Sequence, residues 1–327
     1  MTSLENLSVT IGITAFNCEE TLETAVFSAL NQDHKNTEIL IVDDCSSDNT
    51  NLIALKLMKS NPKIRVFRAT KNKGVAASRN TIIKKASSHF IAFFDDDDIS
   101  EPNRISTQLA AMVACEDGDP KKMVICHSAR LVDYPIGISR YQESLAQEAG
   151  SEGVTGKLVS EAILFGTRNN WLKGACPTCS QMARVRTYRM LRGFDKNLRR
   201  SEDTELSIRA AESGATFIGI KTPLVHQRMT ISSDKNLNIE KENWMYIIDK
   251  HRKIIERRMS YSFAVNWLTL RHNWLAKDFA AFAVTLGKLV LFSPIQTLRK
   301  LCLALPNTQL NTEMSNFHNH NMSGANK

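Results

Sequence analysis

The sequence predicts an α/β protein: a mostly parallel central sheet flanked by helices, followed by a C-terminal helical extension. Three observations carry this. Strand-length apolar runs alternate with amphipathic helical runs through the first 115 residues. The strand runs are apolar without interruption, as in strands covered on both faces. Beyond residue 235 the pattern is helical, with aromatic and basic residues mixed.

Residues 8–16 (SVTIGITAF) read as the first strand. Residues 19–32 read as a helix, because Leu22, Ala25, Val26, Ala29 and Leu30 fall on one face. A strand over 37–44 leads to a helix over 48–60, with Ser47 or Asp48 as its N-cap and Pro62 just past its end. A strand over 64–69, a helix over 74–87, a strand over 89–94 and a helix over 101–114 with Pro102 near its first turn follow. Residues 123–132 read as a strand, and the polar, Gly-rich stretch 140–160 as a loop over the site. Residues 179–191 suggest a strand running into a helix, closed by the turn Gly193–Phe194–Asp195. Residues 201–214 form a helix with Ser201 as cap, acids in the first turn and Gly214 at the end, and 215–220 a further strand.

Ligands of parallel sheets bind beyond the carboxyl ends of the strands. The polar residues that follow the strands are Asn17, Asp43–Asp44, Asn72–Lys73–Gly74 and Asp95 to Asp98, so all four sets fall on one rim. The run Asp95–Asp96–Asp97–Asp98 costs about 1 kcal/mol per adjacent pair in water and more where water is scarce. If the strand stays extended, Asp95 and Asp97 share one side, and Asp96 and Asp98 the other. Two carboxylates on one side make a hard-oxygen site for Mg²⁺ or Mn²⁺, which relieves the repulsion. The competing reading is a solvated acidic turn.

The chain has 327 residues, 43% of them hydrophobic, enough for one elaborate domain or two. Of the net charge of +8, nearly all arises from residue 235 onward, where 13 Lys and Arg face 6 Asp and Glu. Met1–Ser8 is polar, and the apolar stretch 279–292 is short and broken by Lys288, so neither a leader nor a membrane span is expected. Seven scattered cysteines fit a reduced, cytoplasmic protein. The single CxxC pair, Cys176 and Cys179, has no second pair or His cluster beside it and is expected to be half-buried packing around Pro177.

In order along the chain, VTIGITAFNCEETLETAVFSALNQ, EILIVDDCSSDNT, NKGVAASRN, IAFFDDDDISEPNR, MLRGFD, SEDTELSIRAAESG and PLVHQRMTISS resemble the successive blocks of glycosyltransferase family 2. The resemblance covers roughly residues 8–233. It implies a GT-A nucleotide-diphospho-sugar domain and inverting, divalent-metal-dependent sugar transfer. By match, Ala15, Phe16 and Asn17 stand where the first strand meets the nucleotide, and Asp44 with Asp43 where a carboxylate contacts the base. Lys73, Gly74, Arg79 and Asn80 border base and diphosphate. Asp95 and Asp97 match the DxD pair and Asp98 its extra acid, all three read as metal-holding, with Asp96 between them grouped with the donor contacts. Asp203, preceded by Glu202, matches the acidic pair whose aspartate is the base. The chain departs from the pattern at Thr14–Ala15, where Pro is frequent, and around Arg228, which lacks the preceding Tyr and following His.

The resemblance implies a donor nucleotide-diphospho-sugar, a UDP-sugar by expectation, with Mn²⁺ or Mg²⁺, and a saccharide or lipid-linked saccharide acceptor of cell-surface polysaccharide or lipopolysaccharide synthesis. Residues 1–115 are expected to bind the donor, 116–233 the acceptor, 234–308 to form the basic helical extension, and 309–327 to be a disordered tail. His226 is read as a metal ligand or a structurally satisfied histidine, Trp171 as an acceptor platform or core residue. The basic segment around Lys250, Arg252, Lys253, Arg257 and Arg258, with Trp267, Trp274, Phe279 and Phe282, reads as a surface resting on an anionic cytoplasmic leaflet or as a helical cap. Nucleic acid is not expected, because the rim is acidic. A nucleotidyltransferase would need a Gly-rich loop after the first strand, and there is no glycine after Gly12 in ITAFNCEET. The alternative of another class is a non-catalytic nucleotide- or membrane-binding module.

Overall fold

The computed structural model describes residues 4–134, 137–167, 169–229 and 237–304. The chain divides into two compact units, the first ending at Met229. The expected tail over 309–327 lies outside the described residues.

The first unit begins with β1 (Val9–Ala15), α1 (Leu22–Leu30), β2 (Thr37–Asp43), α2 (Thr50–Ser60), β3 (Ile64–Arg68), α3 (Val75–Lys85) and β4 (Phe90–Asp95). It continues with β5 (Ile99–Ser100), α4 (Arg104–Glu116), β6 (Val124–Asp133), β7 (Ser139–Gln142), β8 (Val154–Thr155) and α5 (Lys157–Phe165). It closes with β9 (Gln181–Arg184), α6 (Val185–Met190), α7 (Glu202–Glu212) and β10 (Thr216–Arg228). The sheet order is β3-β2-β1-β4-β9-β6-β10-β5, with β7 on β6 and β8 on β10. The long ladders, β3/β2/β1/β4 and β6/β10, are parallel. β9 enters antiparallel between β4 and β6 and welds the two parallel halves into one sheet.

Successive strand residues feed two cores, one on each face. Ile11, Ile13, Ile39, Ile41, Ala92 and Phe94 pack with α1, α2 and α4. Leu40, Val42, Ile91 and Phe93 pack with Ile82, Tyr188, Phe194 and Leu206 from the other side. This two-sided burial is why the strands carry no polar alternation. At Gly12 a Cβ would stand 2.6 Å from Ile82 Cγ2, so glycine there lets α3 approach β1.

Two elements differ from the sequence expectation. The stretch 140–160 is not one loop: β7 and β8 cross it and α5 starts at Lys157 between Gly156 and Gly166. β10 runs to Arg228 rather than stopping at residue 220, because its register with β6 shifts on both sides of Pro223. A bulge tolerates the missing N–H and lets the strand resume.

The second unit contains α8 (Leu237–Lys250), α9 (Arg252–Ile255), α10 (Tyr261–Leu275), α11 (Phe279–Phe292) and α12 (Pro294–Ala304). Ser260 caps α10 by accepting from Phe263 N–H at 3.1 Å, and Asp278 caps α11 by accepting from Ala281 N–H at 2.9 Å. Its small core is Phe263, Leu270 and Leu289, with Trp267, Phe282 and Leu286 packed against it. Thr297 Oγ1 donates to Leu289 C=O at 3.0 Å and ties α12 to α11. No described helix is long and apolar enough to cross a membrane.

Candidate active site

The strands β1, β2, β3 and β4 run parallel, so their carboxyl ends share one rim. Hydrogen bonds lace the polar residues there. Asp44 N–H donates to Ala15 C=O at 2.9 Å. The Asp44 carboxylate accepts from the N–H groups of Lys73 at 3.0 Å and Gly74 at 2.7 Å, which fixes the loop entering α3. Gly74 is at φ 85°, which glycine adopts without strain. Asn17 N–H donates to Ser46 Oγ at 3.0 Å, and Asn17 Oδ1 accepts from Ser47 N–H at 2.9 Å. Asn17 (φ 49°), Cys45 (φ 66°) and Ser201 (φ 61°) all hold left-handed backbone at this rim. Such conformations cost of order 1 kcal/mol each and collect at functional sites. Asp43 lies beneath, fully buried, accepting from Ser46 Oγ at 2.5 Å and facing Arg68 Nε at 3.1 Å. It shapes the turn beneath Asp44, the residue matched to the base contact.

The acidic run does not stay extended. β4 ends at Asp95, Asp96 and Asp97 form a turn, and the chain re-enters the sheet at Ile99. The expected pairing of Asp95 with Asp97 on one side of a strand is therefore replaced. Asp95 converges instead with Asp98 and Cys179, one donor atom of each lying within 4.8 Å of the others. Asp98 Oδ1 accepts from Arg228 N–H at 3.1 Å, while Oδ2 is buried with no hydrogen-bond partner among the described residues. Asp96 turns to accept from Phe16 N–H at 3.1 Å. Burial, then the charges of Asp97 and Asp95, push Asp96 up to about 7. Burial and the same neighbours raise Asp98 well above the usual carboxylate range. Its clustered oxygens, one of them without a hydrogen-bond partner among the described residues, suit a divalent cation.

Arg79, on the second turn of α3, joins this cluster to α7. Its guanidinium donates to Asp95 Oδ1 at 3.1 Å and to Glu202 Oε1, and stands over the Phe194 ring at 5.5 Å. The charges of Glu202, Asp95 and Asp203 raise its pKa against the opposing effect of burial. Arg79, expected to border the base and diphosphate, makes two ion pairs inside the protein. Burial raises Glu202 while Arg79 opposes the rise. Glu202 is thus buried in an ion pair, and Asp203 beside it is half-buried, accepting from Thr204 N–H at 2.6 Å. Ser201 makes no side-chain cap bond, so the expected cap is not formed by its hydroxyl.

Asn80 is also committed elsewhere. Its side-chain amide donates to Phe194 C=O and accepts from Phe194 N–H, both at 2.8 Å. It clamps the Gly193–Phe194–Asp195 turn to α3, which leaves one amide N–H of Asn80 without a protein partner in these bonds. His226 hydrogen-bonds Glu101 Oε1 at 2.8 Å through Nε2, a structural contact. Arg228 projects an exposed side chain at the end of β10, and Trp171 is exposed rather than core.

Sequence reasoning missed Cys179, expected to be half-buried packing. It is buried against Asp95 and Asp98, and only the CxxC spacing marked it. It also missed Arg104, fully buried under the cluster. Arg104 donates to Phe93 C=O and Ser100 Oγ, each at 2.8 Å, and its guanidinium stands over the Phe94 ring. Burial lowers it to about 10, against the charges of Cys179, Asp98 and Asp95.

The model of the family described as "Glycosyl transferase family 2" matches residues 10–187. Among curated relatives, the UDP-Glc:alpha-D-GlcNAc-diphosphoundecaprenol beta-1,3-glucosyltransferase WfgD of Escherichia coli is 37% identical over 110 residues, 34% of this chain and 43% of that one. The chain thus matches less than half the length of that relative. Among solved structures, S. aureus TarS 1-349 in complex with UDP-GlcNAc superposes with TM-score 0.61 at 15% identity, covering 97% of this chain and 92% of that one. The mannosyltransferase PcManGT from Pyrobaculum calidifontis, in complex with GDP-Man and Mn2+, gives TM-score 0.55 at 15% identity, covering 96% and 86%. At these identities the structural likeness shows the fold, that of GT-A glycosyltransferases.

Proposed function

The chain belongs to glycosyl transferase family 2, and from that premise we propose that it moves a sugar from a nucleotide-diphospho-sugar to an acceptor hydroxyl with inversion, in cell-surface polysaccharide or lipopolysaccharide synthesis. The observation that carries this is the Arg79 bridge, which brings the acidic end of β4 and the acidic start of α7 into one site. A metal and a base are the two groups such a transfer needs, and they must lie on either side of the reacting sugar.

Asp95 and Asp98, with Asp97 on the turn between them, would hold Mn²⁺ or Mg²⁺, which supplies Lewis-acid stabilisation to the departing diphosphate. Asp96 braces the turn through Phe16 N–H and so keeps that set facing the rim. Asp203 is the base that takes the acceptor proton; Glu202, committed to Arg79, orients the start of α7 and is not free to titrate in that role. One displacement with the base opposite the leaving group inverts the anomeric centre. Asp44 sets the Lys73–Gly74 loop against the base of the nucleotide. Ala15 and Asn17 offer backbone edges, Phe16 an exposed ring beside the base, and Arg228 a cation for the diphosphate.

A UDP-sugar is the donor we assign, in keeping with the UDP-Glc in the WfgD name and the UDP-GlcNAc bound by TarS. A saccharide, or a lipid-linked saccharide as in the WfgD name, is the acceptor. A lipid-linked acceptor would place the protein in the cytoplasm, peripheral on the inner face of the membrane. A thermal-shift screen of nucleoside-diphosphate sugars with Mn²⁺ or Mg²⁺ tests the donor and metal together. With the donor in hand, Asp203→Asn should keep the donor-induced shift and lower acceptor-dependent nucleotide release by roughly 10²–10⁴-fold. Unchanged release would assign the base elsewhere.

A further inference from the structure

The second unit exposes more apolar surface than its small core explains. Leu291, Phe292 and Ile295 are 75%, 79% and 82% exposed, and Leu298, Val284 and Phe279 are exposed beside them in sequence on the same two helices. The helices α11 and α12 turn on Ser293, so Leu291 and Phe292 end one helix and Ile295 begins the next. Together they make an apolar corner. The inward residues of α11 are different ones, Thr285 and Leu289, which face α10 and α12.

Charge says what covers the corner. From Phe279 to Ala304 every ionisable side chain other than the Cys302 thiol is basic: Lys288, Arg299 and Lys300, with no Asp or Glu. Lys300 turns inward over the Trp267 ring, and Asp278 at the far end of α11 is spent capping that helix; the two exposed cations Lys288 and Arg299 beside the protruding apolar residues match an anionic bilayer surface. Length agrees. At 1.5 Å per residue, α11 with its 14 residues is about 21 Å long, short of the roughly 30 Å hydrocarbon core, so it lies in the interface and does not span it.

We propose that the α11–α12 corner is a docking surface for an anionic lipid bilayer, entered by Leu291, Phe292 and Ile295 and held by Lys288 and Arg299. This deepens the reading of a lipid-linked acceptor, and it relocates the anchor expected from sequence. Of the aromatic residues expected to enter the membrane, Trp267 and Phe282 pack inward against Phe263, Leu270 and Leu289, while Phe279 and Trp274 remain exposed.

The test is flotation of the full chain with vesicles of phosphatidylcholine alone or of phosphatidylcholine with phosphatidylglycerol. The expected result is flotation with the anionic vesicles only, lost in a Leu291→Ser/Phe292→Ser/Ile295→Ser variant and weakened at least tenfold by Lys288→Glu/Arg299→Glu. Thermal unfolding of the variants should match the parent, since the substituted side chains already face solvent. Absence of parent flotation, or full flotation of the triple variant, overturns the proposal. So does a parent dimer in light scattering that the triple variant dissolves, which would make the corner an interface between copies. No sugar chemistry enters the readout, so failure here leaves the transferase reading to its own test.

Discussion

Arg79 joins the end of β4 to the start of α7 through two carboxylates. Its two carboxylate partners lie 16 and 123 residues away in the chain, so no local spacing could reveal them. The family blocks mark Arg79 as a rim residue but say nothing of these two partners. The same holds for Asn80, whose partner Phe194 is 114 residues away. By contrast the positions of Asp44, directly after β2, and of Asp203, in the first turn of α7, could be read from the apolar pattern, whereas the approach of Asp98 to Asp95 could not, because an extended run sets them on opposite sides. Removing the guanidinium leaves Glu202 as a buried charge without its partner. Arg79→Met should therefore destabilise the protein by roughly 3–5 kcal/mol in urea unfolding. Adding Glu202→Gln to that variant should restore much of the loss. Additive losses in the double variant would show that the two side chains do not form the pair.

Elements set where those residues meet. α3 is fixed at its start by the Asp44–Gly74 bond and along its length by the Asn80 clamp on Phe194. Asn80→Ala unpairs two backbone groups and should cost about 1–3 kcal/mol, read as a lowered unfolding midpoint with donor binding weakened through the displaced Arg79. β6 contributes a buried histidine. His127 is fully buried and stacked parallel to Phe217, with ring centroids 6.5 Å apart, and burial with the charges of Arg130 and Arg104 lowers it from 6.5 to about 3. The unfolded chain then binds a proton that the folded one refuses, so stability is full above pH 6.5 and falls as pH drops towards 3. Between pH 7 and pH 5 this amounts to about 2 kcal/mol. His127→Gln should flatten that slope; an unchanged slope would mean that the acid sensitivity has another source. The first four strands and their helices were legible because each strand is a short run rich in β-branched and aromatic residues, followed by a helix-period segment. The turn at Asp96–Asp97, the bulge at Pro223 and the helix at Lys157–Phe165 were not, because sheet register and tertiary packing decide them.

For the whole molecule the organising fact is the rim shared by parallel strands, closed by α7 through Arg79. β9, antiparallel between two parallel halves, is what allows strands on both sides of it to belong to one sheet. The sequence order of blocks foretold the first half of this sheet better than the second, where polar insertions and a proline interrupt the apolar runs. One cleft is proposed to hold a cation, a diphosphate and a base. Calorimetric titration of a UDP-sugar in Mn²⁺, repeated in chelator, addresses it directly. Binding in Mn²⁺ should weaken at least tenfold in chelator, about 1.4 kcal/mol or more, and Asp97→Asn should weaken it similarly in Mn²⁺. Equal affinity with and without the cation, in parent and variant alike, would contradict it.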